Sequence, residues 1–150
     1  MTSIVTSQMY TKELLRAHPD RLFIFGDNME NRGKGGQAVI RDEPNAFGIA
    51  TKHSPHSGSN AYFSNDDLFN QKVMYRLNRQ LDILEDKALS TVLVFPTGGL
   101  GTGLSAMHLQ CPKLFAWLGY QLALRFNVLN TADGLFTIST RLNNLREMDQ

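Results

Sequence analysis

The sequence predicts an α/β domain, a layered sheet with helices on its faces, and three observations carry that prediction. Apolar runs of strand length alternate along the chain with longer segments of helical periodicity. Two of the strand runs lead into glycine-rich loops: Leu22-Phe23-Ile24-Phe25 into Gly33-Lys34-Gly35-Gly36, and Thr91-Val92-Leu93-Val94-Phe95 into Gly98-Gly99-Leu100-Gly101-Thr102-Gly103. A length of 150 residues, 42% of them hydrophobic and 19% charged, suits one domain over residues 1–150 with its own core.

The elements follow in order. Thr11 to Ala17 is a short helix ended near Pro19, and Leu22 to Phe25 is a buried strand that stops at Gly26-Asp27-Asn28. A short helix through Gln37 to Arg41 follows the first glycine loop. Ala46 to Thr51 reads as a weaker strand after the turn signal Pro44-Asn45, and the Gly/Ser/Pro/His-rich stretch Lys52 to Asn60 as a loop. Ser64 is placed to N-cap a helix with Asp66 and Asp67 in its first turn and Leu68, Val73, Leu77, Leu81 and Leu84 on one face. Thr91 to Phe95, β-branched and almost wholly apolar, suits a central strand covered on both faces. Pro112 opens a helix carrying Leu114, Phe115, Leu118, Leu122 and Leu124. Leu135 to Thr140 reads as a last strand, and the residues from Asn143 as a polar tail or helix end.

Bulk properties narrow the functional classes. Fifteen Lys and Arg against 14 Asp and Glu leave a formal charge of +1, which provides no broad field for nucleic acid or an anionic membrane surface. No apolar run is long enough to span a bilayer, no signal peptide is recognisable, and a single cysteine, Cys111, makes no intramolecular disulfide. These features predict a cytoplasmic protein. His53, His56, His108 and Cys111 lack the paired spacing of a zinc site, and Gly-Leu-Ser-Ala-Met around Ser105 lacks the pattern of a serine-hydrolase elbow, so neither a metal nor a cofactor is expected.

The two loops carry the chemistry. Glycine admits positive φ and lets backbone approach a ligand, and successive free N–H groups make a concavity for an anion. Four glycines in six residues from Gly98 to Gly103, flanked by the hydroxyls of Thr97 and Thr102, fit that role; tight structural turns are the alternative. Neither loop ends in the Gly-Lys-Ser or Gly-Lys-Thr of a P-loop, and neither is a dinucleotide fingerprint. In α/β sheets ligands collect where loops leave the carboxyl ends of strands, and both loops do so.

Phe23-Ile24-Phe25-Gly26-Asp27-Asn28, Gly33-Lys34-Gly35-Gly36-Gln37-Ala38, Phe47-Gly48-Ile49-Ala50-Thr51-Lys52 and Phe95-Pro96-Thr97-Gly98-Gly99-Leu100-Gly101-Thr102-Gly103-Leu104 together resemble the macrodomain-like proteins often encoded by bacteria and their phages. The likeness spans about residues 22–118. It implies a three-layer α/β/α fold with a mixed sheet, binding ADP-ribose or a related NAD-derived nucleotide diphosphate, free or on an ADP-ribosylated macromolecule. Some members hydrolyse an ADP-ribosyl linkage or a phosphoester. By the resemblance, Asn28 orients the ribose and attacking water, Gly33, Gly35 and Gly36 lie beside the distal ribose, and Gly98, Gly99, Gly101 and Gly103 surround the diphosphate. The family's Asn-Ala-Ala-Asn run is replaced here by Gly26-Asp27-Asn28.

Each polar residue carries two readings. Asp27 and Asn28 are candidate catalytic residues, Asp27 as a general base, or else an Asp-Asn turn satisfying its own backbone. Arg32 and Lys34 are candidate phosphate partners or solvated loop charges. Gln37 contacts a base or ribose, or faces water. The candidate ligand-binding set is Gly26, Gly33, Lys34, Gly35, Gly36, Gln37, Thr97, Gly98, Gly99, Leu100, Gly101, Thr102 and Gly103. Lys52, His53 and His56 are an acid, base or phosphate contact, or loop residues without a role. Three functions remain in view: a nucleotide binder that turns its ligand over, a non-catalytic reader or sequestering protein, and a structural or inhibitory interaction protein on the same fold.

Overall fold

Four parallel strands form the main sheet of the computed structural model, which describes residues 3–138. They are β1 (Ser3–Thr6), β2 (Arg21–Asn28), β3 (Ala46–Lys52) and β4 (Val92–Pro96), in the spatial order β1-β4-β2-β3. Two further strands, β5 (Val128–Thr131) and β6 (Gly134–Thr137), pair antiparallel in a sheet of their own. The α/β class predicted from the sequence is therefore present. The mixed sheet is corrected, because the antiparallel pair closes its own ladder and packs against β1 without extending the main sheet.

Alternation along the strands sorts side chains to two cores. Leu22 and Ile24 of β2, with Leu93 and Phe95 of β4, meet the helices α2 (Gln71–Lys87) and α4 (Pro112–Phe126). Phe23 and Phe25 of β2, with Val94 of β4, meet Tyr10, Leu15 of α1 (Lys12–Ala17), and Ala38 and Ile40 of a 3-10 helix, Gly36–Ile40. A sheet covered on both faces explains why its strands read as nearly unbroken apolar runs.

Local capping corrects two element boundaries. The helix expected from Ser64 is two pieces: Ser64 and Asp67 form a capping box on a 3-10 turn, Asn65–Phe69, and Asn70 then takes an extended backbone. Its side chain accepts from the N–H groups of Lys72 and Val73 and starts α2 there. Val73, Leu77, Leu81 and Leu84 are buried, as their spacing predicts. In α4 the buried stripe is Leu114, Leu118, Leu122 and Phe126, at intervals of four, so Leu124 falls off it and is exposed. A four-residue helix α3 (Met107–Gln110) precedes α4.

The structure holds more strand than the sequence predicts. β1 and β5 are not predicted, since each is a four-residue strand with little periodic pattern. β2 does not stop at Gly26-Asp27-Asn28; its pairing with β3 continues to Asn28. The last strand ends at Thr137, and the remainder of the segment expected to Thr140, like the tail from Asn143, lies outside the described residues.

One irregularity in the sheet positions everything else. β2 pairs with β4 only from Arg21 to Phe23, against Val92 to Val94, while it pairs with β3 along almost its whole length. Beyond Phe23 and Val94 the two neighbours part. The Tyr10 hydroxyl sits where the ladder ends, 2.8 Å from the Ile24 carbonyl oxygen and 3.2 Å from that of Val94. Burial pushes its pKa up, which keeps the phenol a donor. The chain then leaves β2 toward β3 and leaves β4 toward the β5–β6 pair beside β1, so the gap is the point at which the connections diverge.

Leu77 is fully buried between α2 and the sheet. Leu77→Ala is expected to cost about 2–5 kcal/mol of unfolding free energy, measured as a lower denaturation midpoint in guanidinium with the slope unchanged.

Candidate functional site

Gln37 fills the gap between the parted strands. Its Oε1 accepts from the Gly26 N–H at 3.1 Å, and its Nε2 donates to the Gly99 carbonyl at 3.1 Å, so one side chain ties β2 to the loop after β4. This is neither of the roles expected for it. The amide of Gln37 belongs to the scaffold.

Beside this clamp lies a cleft of about 240 Å³. Its walls come from the loop after β2 through Gly33, Gly35 and Gly36, from the end of β3 and the loop after it through Thr51, Lys52 and Pro55, and from the loop after β4 through Gly103, Leu104 and Ser105. Leu104 arches over Gly35 and Gly36 and brings the two glycine loops into contact; a Cβ on either glycine would lie 3.5 and 3.7 Å from its Cδ1. The N–H groups of Gly33, Gly35, Gly36 and Gly103 make no hydrogen bond among the described residues, so both loops offer donors at the cleft.

The first loop is held by a buried ion pair. Asp27 continues the Phe23 and Phe25 side of β2, toward the 3-10 helix that packs there, and Arg41 follows that helix. Arg41 donates to both Asp27 oxygens, at 2.6 and 2.9 Å, and the two side chains are 13% and 4% exposed. Asp27 also accepts from the Asn28 N–H and from Asn31 Nδ2, while Arg41 donates to the Arg32 and Gly33 carbonyls. The pair thus fixes the start of the glycine loop. Gly48 on β3 makes room for it, since a Cβ there would fall 2.7 Å from Asp27 Oδ2.

Asn28 is equally committed. Its Nδ2 donates to the Arg32 carbonyl at 2.7 Å and its Oδ1 accepts from the Glu30 N–H at 3.0 Å, which makes it the pivot of the turn. Both residues predicted to be catalytic line the cleft, and both have their polar atoms engaged within the loop.

A bulge aims the next wall. Asp27 pairs with Ala50 but Asn28 pairs with Lys52, leaving Thr51 as an extra residue in β3. Successive strand residues ordinarily face opposite ways; the bulge lets both Thr51 and Lys52 line the cleft. Thr51 Oγ1 donates to the Asp27 carbonyl. Lys52 is 8% exposed, and its ammonium donates to the His56 carbonyl at 2.8 Å and lies 4.5 Å from the centroid of the Tyr62 ring. Burial lowers its pKa. Between that lowered value and the ordinary one the unfolded chain holds more protons, so this group makes stability rise with pH in that window.

The second loop is divided between structure and cleft. Asn130 of β5 accepts from the Leu100 N–H and donates to the Leu100 carbonyl, and the Thr102 hydroxyl donates to the Gly98 carbonyl. Gly101 has a φ of +81°, and a Cβ there would lie 2.6 Å from Met107 Sδ, so this glycine serves packing. Thr97 and Gly98, with Gly36 and Gln37, border a neighbouring cavity of about 760 Å³ beneath the Thr6–Glu13 segment. Gly99, Leu100, Gly101 and Thr102 line neither space. Of the second-loop residues in the candidate ligand-binding set, only Gly103 lines the cleft.

Residues 5–121 match a family of unknown function, DUF7831. The chain belongs to that family. No curated protein and no solved structure matches it. The matched span holds β2, β3, β4, the second half of β1 and every cleft residue, whereas the β5–β6 pair, with the Asn130 that pins the second loop, lies beyond it.

Other predicted residues settle elsewhere. Lys34 pairs with Asp42 on the surface and does not line the cleft; Arg32 lines it but pairs with Glu30. His53 Nε2 lies 2.9 Å from Asp67 Oδ2 with its ring edge-on to Phe63, and His56 Nδ1 accepts from the Gly58 N–H. Cys111 is buried, and desolvation with the nearby Asp67 pushes its thiol up to about 12, so it is an inert core residue. The role of Arg41 is not legible in the sequence, since nothing in a local pattern pairs it with a residue fourteen positions earlier. Ser105, which stands in no serine-hydrolase elbow pattern, lines the cleft. Among the described residues no helix is long and apolar enough to cross a membrane.

Two substitutions probe the scaffold. Arg41→Met leaves the Asp27 carboxylate buried without its partner and is expected to cost about 3–5 kcal/mol in chemical denaturation. Gln37→Ala strands the Gly26 N–H and is expected to cost about 1–3 kcal/mol, with amide exchange accelerated at Gly26.

Proposed function

We propose that the chain binds ADP-ribose or a related NAD-derived nucleotide diphosphate in the crevice between the β2 and β4 loops, on a three-layer α/β/α macrodomain-like fold acting in the cytoplasm. One observation carries this reading: the crevice lies at the carboxyl edge of a parallel sheet, where the connections diverge, and glycine loops on both of its sides offer unpaired N–H donors. Anions suit such donors because several peptide dipoles converge on one charge. The larger cavity shares Gly36 and Gln37 with the cleft, giving an extended ligand room on both sides of the first loop. The ligand is free nucleotide or the same group on a modified macromolecule.

Binding without turnover is the favoured form. Asp27 holds Arg41, Asn28 holds the loop, and neither offers a free polar atom to activate water. A reader or sequestering protein needs no such atom. Hydrolysis of an ADP-ribosyl linkage or phosphoester by Asn28, with Asp27 as base, is the second reading, and it requires these contacts to open when ligand enters.

The expected outcome is a melting temperature raised on the order of 5–10 °C by ADP-ribose at about a hundred times its Kd. Gly103→Val, at a position where a Cβ meets nothing within 4 Å, should keep the fold and lose that shift. Incubation with an ADP-ribosylated protein should give capture and no release. If release occurs and Asn28→Ala abolishes it, the catalytic reading replaces the reader. No shift with any nucleotide would sink both.

A further inference from the structure

The outer face of α2 is charged unevenly. Lys72, Tyr75, Arg76 and Arg79 recur at the helical period and share the side opposite the buried Val73, Leu77, Leu81 and Leu84. The acidic residues Asp82, Glu85 and Asp86 follow, toward the C-terminal end. A helix dipole favours the reverse order, acids at the N-terminus and bases at the C-terminus, and only Lys87 obeys it. Helix stability therefore does not account for the basic end.

The two ends also differ in what they hold. Arg125 of α4 donates to Asp82 and Glu85, so the acidic end is bound into the fold. Lys72, Arg76 and Arg79 have no carboxylate within 4 Å among the described residues. Arg76 donates to Asn31 Oδ1 at 3.1 Å, which ties this face to the first glycine loop, while Lys72 and Arg79 are exposed. Two aromatic rings stand among the cations: Tyr75 is 72% exposed, and Phe69, just before the N-cap Asn70, is 86% exposed. Single exposed apolar side chains are common; two rings interleaved with three unpaired cations suit a ligand that carries both negative charge and flat rings.

We propose that this face of α2 binds an unmodified single strand of nucleic acid, with phosphates along Lys72, Arg76 and Arg79 and bases stacked on Tyr75 and Phe69. A net charge of +1 gives the chain no broad field for a polyanion, so the attraction has to be local, as it is here. From Lys72 to Arg79 the helix rises about 10.5 Å, at 1.5 Å per residue. A strand whose phosphates lie about 3.4 Å or more apart along its axis lays about two to three of them on that length. The rings favour bases over the carboxylates of an acidic peptide, because every base has a π face to stack and a carboxylate has none. A duplex hides those faces in its own stack. Lys72, Tyr75, Arg76 and Arg79 all lie outside the cleft lining, so the surface is independent of the nucleotide reading and needs no ADP-ribosyl group on the strand.

Fluorescence anisotropy of a labelled single-stranded oligothymidylate on the full chain tests it, with a glutamate oligomer of equal charge and a DNA duplex as comparisons. The oligothymidylate should bind, and the logarithm of its association constant should fall against the logarithm of salt concentration with a slope of about −2, each of the three cations contributing about −0.7. Arg79→Gln should weaken binding and reduce that slope by about 0.7. Tyr75→Ala should weaken binding on the order of tenfold and leave the slope unchanged, because a stacked base is lost and no charge is. Both side chains are exposed, so both variants should melt within about 1–2 °C of the native chain and respond to ADP-ribose as it does. Absence of oligothymidylate binding at low salt overturns the proposal, as does affinity unchanged in both Tyr75→Ala and Phe69→Ala. Tighter binding of the glutamate oligomer would assign the face to an acidic protein, and tighter binding of the duplex would remove the stacking; either overturns it. Oligothymidylate bound with no response to ADP-ribose would sink the cleft reading alone, and the reverse would sink this surface alone.

Discussion

The parting of β2 and β4 is the constraint on which the rest of the structure depends. Parallel neighbours normally satisfy one another's main chain along their length, so a ladder that stops after Phe23 and Val94 leaves donors and acceptors that need other partners. Tyr10 and Gln37 supply them. Tyr10 meets the Ile24 and Val94 carbonyls from one face, and Gln37 takes the Gly26 N–H and the Gly99 carbonyl further along. The crevice exists because side chains, not backbone, complete the sheet at this edge.

Around the crevice the structure separates scaffold from opening. Asp27, Arg41, Asn28 and Asn130 are polar and are consumed by the loops they shape. A saturated network of this kind rigidifies a loop and leaves few donors or acceptors for a ligand. Lys52 differs: it is buried, and its ammonium has the His56 carbonyl and the Tyr62 ring but no carboxylate partner among the described residues. Lys52 ends β3 and so lies at the same edge of the sheet as the glycine loops.

Much of the fold was legible in the sequence because it rests on short-range rules. The apolar runs at Leu22 to Phe25 and Thr91 to Phe95 are strands, the spacing of Val73, Leu77, Leu81 and Leu84 is a buried helix face, and Thr11 and Pro112 mark helix starts. Boundaries were less legible where a single side chain decided them. Asn70 restarts a helix that the periodicity of Leu68 and Val73 would run through, and the β3 bulge at Thr51 leaves no signature in composition. The candidate site was half legible: Gly33, Gly35, Gly36 and Gly103 do meet at one cleft, whereas Gly99, Leu100, Gly101 and Thr102 are turned to packing.

By itself, the sequence determined the α/β class, the order of its main elements and the placement of two glycine loops at strand ends, because periodicity, capping and glycine frequency act over a few residues. The tertiary structure alone decided which polar groups are free. Asp27 looked available until Arg41, fourteen residues away, closed on it, and Lys52 looked like a loop lysine until burial removed its water and no carboxylate replaced it. Whether a charge is paired depends on distances that the fold sets between remote residues, and no local pattern encodes them.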